Sequence, residues 1–177
     1  MNEVQVECLV AAAKAFVGVP EQGGNNRGQM VEIFLRGVGL APPEPWCAAF
    51  VHHVGFWSQW DPGSGRSGWP LPATGACQTL ADVAERHGML LTRPERGDLF
   101  VMWFPQLRRF AHVGIVLDVV ETETAFACST IEGNTNDDGS REGWKTAVKY
   151  RHFGKGGSDR FIHWTGMDTT TVTRRGA

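Results

Sequence analysis

Cys47 stands where the run Pro45-Trp46-Cys47-Ala48-Ala49-Phe50-Val51 passes from a proline-punctuated loop into an apolar stretch. Pro42, Pro43 and Pro45 forbid helix upstream, whereas Trp46 to Trp60 contain no proline and read as helix. Cys47 therefore falls in a first helical turn, where unpaired backbone amides and the helix dipole favour a thiolate. A thiolate attacks an amide carbonyl, given a base to partner it. Among six histidines, His112 has the best placement, opening the strand-like run His112-Val113-Gly114-Ile115-Val116. His52 and His53 follow Cys47 on its own helix but share neither its face nor its turn. His163 reads as a core histidine between Ile162 and Trp164, and His87 as a helix C-terminal one.

A base needs an orienter. In Ile131-Glu132-Gly133-Asn134, Glu132 and Asn134 are two residues apart at the end of an apolar run, which places both on one face of a strand. A carboxylate there fixes the imidazole tautomer and stabilises the imidazolium, and an amide can steady a developing charge. The competing reading is a turn, because Gly133 to Gly139 is a string of loop formers.

The elements that must position these groups come in two blocks. Val4, Cys8, Leu9, Ala12 and Phe16 recur at helical spacing in a first helix ending near Gly18 and Pro20. The polar loop Glu21 to Gly28 leads to a second helix with Met30, Ile33, Phe34 and Val38 on one face. The Cys47 helix follows, then a glycine- and proline-rich loop from Asp61 to Thr74, then a helix from Ala76 to His87. Trp57, Trp60 and Trp69 around that loop are candidate groove walls. Beyond Gly97 the chain turns to β-rich runs at 98–104, 112–120, 124–131, 146–153 and 160–164. Helices followed by strands predict an α+β domain over 1–164, its helices packed on a roughly five-stranded antiparallel sheet, with a polar, flexible tail from Thr165 to Ala177.

Bulk properties narrow the function. With 177 residues and 42% hydrophobic content, the chain suits one domain. A net charge of −2 gives no basic field for nucleic acid or acidic lipid. The four cysteines, Cys8, Cys47, Cys77 and Cys128, form no Cys-x-x-Cys pair, and all but Cys47 read as small buried side chains. Met1-Asn2-Glu3 lacks the basic start and the long apolar region of a signal peptide, and no stretch suits a membrane span. The expectation is a chain made in the cytoplasm, reaching any external substrate after release or by non-classical export.

Taken together, Pro45 to Val51, Arg93-Pro94-Glu95-Arg96-Gly97-Asp98-Leu99-Phe100, His112 to Val116 and Ile131 to Asn134 resemble the CHAP family of cysteine, histidine-dependent amidohydrolases/peptidases. These are relatives of papain-like and NlpC-type peptidases. Four pieces in order carry the resemblance, which runs from about Glu21 to the last strand. It implies a papain-like fold, Cys47 as nucleophile, His112 as general base, Glu132 as its orienter and Asn134 as the fourth polar residue. It also implies bacterial peptidoglycan as substrate, cut at the N-acetylmuramoyl–L-alanine amide or within stem and cross-bridge peptides, as phage lysins do. The Glu21–Gly28 loop looks like the upstream element of phage-associated members, which makes Glu21 and Asn25 expected substrate contacts beside Trp46 and Trp69.

No metal or cofactor is expected. Asn134-x-Asn136-x-Asp138-Gly139 mimics the start of a calcium loop, but Lys145 stands where the bidentate glutamate belongs. The acidic calcium cluster of some family members is missing upstream of Cys47, and the chain has no room for a separate wall-binding module. The rival class is a wall-fragment binder or phage structural protein with the same fold and no turnover.

Overall fold

Buried apolar residues at helical spacing define the first element of this computed structural model, which describes residues 2–136 and 143–167. Helix α1 (Glu3–Lys14) buries Val6, Leu9, Val10 and Ala13 and is capped by Asn2, whose side chain accepts from the Gln5 amide. It stops four residues short of Gly18; Phe16, Val17 and Val19 continue in tighter turns. Helices α2 (Gln29–Gly37), α3 (Cys47–Ser58) and α4 (Cys77–Arg86) follow at the expected places. The loop after α3 is more regular than expected. It contains a short hairpin of β1 (Trp60–Asp61) and β2 (Arg66–Ser67), turned by the Asp61 side chain accepting from the Gly63 amide.

The remaining strands are β3 (Leu90–Leu91), β4 (Leu99–Phe104), β5 (Arg109–Glu121), β6 (Ala125–Thr135), β7 (Lys145–Gly154) and β8 (Arg160–Ile162). They form one antiparallel sheet in the order β3-β8-β4-β5-β6-β7. The fold class is thus α+β, with six strands in the main sheet where about five were expected. The additional one, β3, is a two-residue edge pairing Leu90 with Ile162 and Leu91 with Phe161. Two residues are too few for alternation to reveal a strand. The chain stays packed beyond Trp164: Trp164–Gly166 form a 3-10 turn, and both Trp164 and Met167 are buried. The rest of the expected tail, like Asp138 and Gly139 of the calcium-like run, lies outside the described residues.

Alternation along the strands sorts the core into two. Leu99, Val101, Val113, Ile115 and Ile131 join the helices in the larger cluster, while Phe100, Val116, Phe126, Cys128, Phe153 and Phe161 form the other. Helix α3 is the centre of the helical layer, touching α1, α2, β5 and β6. Its approach to β6 requires glycine at 133, where a Cβ would lie 2.7 Å from Phe50 and 2.8 Å from the Trp46 ring. Among the described residues no helix is long and apolar enough to cross a membrane.

Candidate active site

Cys47 is the first residue of α3, and no side chain caps that helix. Its first-turn amides therefore remain available to a negative charge beside the sulfur. The thiol is buried, yet it contributes to the wall of an open cleft of about 390 Å³ shared with Glu44, Thr74, Cys77, Arg109 and Phe110. Cys77 opens α4 as Cys47 opens α3, and the two sulfurs lie 3.7 Å apart. A hydrogen bond from the Cys77 thiol, strongest of the influences on it, holds Cys47 well below the usual thiol range against the cost of burial. His112 and the backbone N–H of Val113 act in the same direction. Cys77, giving the hydrogen bond and buried itself, is pushed well above that range.

His112 comes from β5, beside a bulge. Met102 pairs with His112 and Trp103 with Phe110, so Ala111 is the additional residue that re-aims the strand. His112 Nε2 lies 2.8 Å from Glu132 Oε2. Among the described residues its buried Nδ1 has no formed hydrogen bond, and Cys47 acts on the same ring. Burial disfavours the imidazolium, but Cys47 and Glu132 outweigh it and raise His112 to about 9. Both shifts favour the thiolate–imidazolium form of the pair.

Glu132 is fully buried on β6 and, among the described residues, is hydrogen-bonded to four side chains. Besides His112, Thr130 Oγ1 donates to its Oε1 at 2.7 Å and Thr135 Oγ1 to its Oε2 at 3.3 Å. Arg151 of β7 donates from Nε to Oε1 at 2.8 Å and from Nη2 to Oε2 at 2.5 Å. Burial would raise this carboxyl, but Arg151 and His112 bring it far below the carboxylate range. Gly114 makes the room: a Cβ there would sit 2.8 Å from Glu132 Cγ and 2.6 Å from the Phe100 ring. The result is a buried row of interacting groups, from Arg151 to Glu132 to His112 to Cys47.

The other expected residues separate from this row. Asn134 is buried on β6, but its backbone is left-handed at φ 52° and a register shift lies between Glu132 and Thr135, so simple alternation with Glu132 fails. Among the described residues its Oδ1 has no hydrogen-bond partner and is not joined to His112. Glu21 and Trp46 bind each other: Trp46 Nε1 donates to Glu21 Oε1 at 2.8 Å, and the indole is fully buried against Phe34. They brace the start of α3 and do not line the cleft. Asn25 is exposed and also outside the cleft wall, whereas its neighbour Asn26 is buried and donates to the Pro43 carbonyl at 2.7 Å. Trp69 is a core residue, set on Gly55 of α3 and 4.8 Å from the Trp164 ring. Cys8, expected to be buried, is exposed.

Sequence reasoning missed Arg151 and Cys77. A signal for Cys77 existed, since it too begins a predicted helix. Arg151 had one only in its polar side chain within a β-rich run. Among the described residues, no group of three His, Cys, Asp or Glu side chains could hold a metal ion. A scan against family models finds no match, and neither curated proteins nor solved structures give one.

Proposed function

We propose that this chain is a cysteine-dependent amidohydrolase/peptidase that cleaves an amide of bacterial peptidoglycan, through a thioester on Cys47. The observation that carries the reading is the row from Arg151 to Cys47, which ends in a sulfur on a cleft wall. A thiolate attacks the scissile carbonyl, and first-turn amides of α3 stabilise the oxyanion. The imidazolium of His112 then delivers its Nδ1 proton to the leaving amine. Neutral His112 next takes a proton from water, which attacks the thioester and frees the acid. Glu132 keeps Nε2 protonated throughout, and Arg151 keeps Glu132 ionised.

The substrate rests on the CHAP resemblance, supported by the cleft's own charges. Glu44 and Arg109 provide one side chain of each sign, suited to a peptide bearing both amino and carboxylate groups, as wall stem peptides do. The experiment is digestion of purified peptidoglycan by the wild type and by Cys47→Ala, with new termini identified by mass spectrometry. New amino termini on the sugar-linked alanine mean an amidase, and cuts between stem residues an endopeptidase. Polymer left intact by both proteins overturns the proposal.

A further inference from the structure

The mechanism leaves one nucleophilic group in the cleft unused. Cys77 lies at the start of a second helix, shares the cleft wall with Cys47 and places its sulfur 3.7 Å away. A disulfide needs about 2.05 Å between sulfurs, so the pair is short of bonding distance by about 1.7 Å, within reach of side-chain rotation. The other two cysteines offer no such pairing: Cys8 is exposed on α1, and Cys128 is buried in the second core cluster.

We propose that Cys47 and Cys77 are a peroxide-responsive thiol pair, closing to a disulfide that reversibly removes the Cys47 nucleophile. The two sulfurs have distinct parts. Cys47, the thiolate, attacks one oxygen of a peroxide; an S–O bond forms, the O–O bond breaks, and the departing hydroxide or alkoxide takes a proton from His112. The product is a Cys47 sulfenic acid. Cys77 then attacks the Cys47 sulfur while losing its proton, an S–S bond forms, and the S–O bond breaks to release water. Two thiols are oxidised by two electrons, and one peroxide is reduced to an alcohol, or to water, plus water. Cys77, its sulfur 3.7 Å from that of Cys47, is the resolving partner. Its closeness lets the disulfide form ahead of further, irreversible oxidation of Cys47.

Disulfide formation needs only a reactive Cys47; the loss of hydrolysis that accompanies it rests on the function proposed above. The full chain is treated with hydrogen peroxide, free thiols are trapped with iodoacetamide, and peptides are mapped without reduction. The expected result is a linked Cys47–Cys77 peptide, a chain lighter by two hydrogens, and loss of peptidoglycan cleavage that dithiothreitol restores. Cys77→Ser gives no linked peptide and carries Cys47 to the sulfinic acid, with no recovery of its thiol on reduction. Cys77→Ala, read in the same way, guards against a serine-specific folding defect. A wild-type chain whose Cys47 becomes sulfinic acid while Cys77 stays alkylatable overturns the proposal. So does thiol recovery at Cys47 that is unchanged in both Cys77 variants. A linked peptide in a chain that, when reduced, cuts no wall supports the thiol pair and counts against the hydrolase. Wall cleavage without the link does the reverse.

Discussion

Arg151 grips both carboxylate oxygens of Glu132, Nε at 2.8 Å and Nη2 at 2.5 Å, although the two residues sit on different strands. A buried carboxylate would otherwise compete with its own neutral form, and a neutral Glu132 would hold His112 weakly. The guanidinium thus acts on the thiol at third hand, through Glu132 and His112.

Arg151→Met should leave Glu132 buried without its cation, at a cost of about 3 kcal/mol in chemical denaturation. Arg151→Lys keeps the charge but loses the planar fork, and is expected to fall between the two. Equal stability in all three proteins would mean that the fork contributes nothing.

The raised His112 sets an alkaline limit. Cleavage is expected to hold through neutral pH and to fall as pH climbs through about 9, where the imidazolium loses its proton. Glu132→Gln removes a negative charge that favours the imidazolium, so the limb should move to lower pH while turnover drops by roughly 100-fold or more. Stability follows the same sign: the part owed to protonated His112 is full below about pH 6.5 and lost through about 9. A kcat/KM profile alongside melts at matched pH values reads both.

Cys77→Ala deletes the thiol's principal hydrogen-bond donor. Alkylation of Cys47 followed against pH should show its acid limb displaced upward, and Cys77→Ser should move it back toward the wild-type position. An unmoved limb in the alanine variant would assign the thiolate to His112 and the helix start alone.

Trp69→Ala should unfold at lower denaturant, by about 3–5 kcal/mol, with KM for wall fragments unchanged in the folded fraction. A raised KM at unchanged stability would return Trp69 to the cleft. Gly133→Ala tests the layer contact: its methyl meets Phe50 and Trp46, with an expected loss of about 1–3 kcal/mol.

The parts legible in sequence were those written locally. Prolines 42, 43 and 45 marked the start of α3, and with it the setting of Cys47; hydrophobic runs marked the strands carrying His112 and Glu132. The parts that escaped depend on distance in sequence. Arg151 reaches Glu132 only because β6 and β7 pair, and Cys77 reaches Cys47 only because two helix starts converge across 30 residues. Aromatic composition misled in a physical way: Trp46 and Trp69 satisfied the core, Trp46 under Glu21 and Trp69 on Gly55, instead of facing a ligand. The register break after Glu132 and the left-handed backbone of Asn134 are not written in the alternation of the run.

Cys47 belongs to the helical layer and His112 to the sheet, and Phe50 resting on Gly133 is among the contacts that join the layers. Thiol reactivity is therefore a ruler of docking between them. A partial separation of α3 from β6 would quench the thiolate while both layers kept their secondary structure. In rising denaturant, the fast alkylation of Cys47 should vanish before the far-ultraviolet circular dichroism changes.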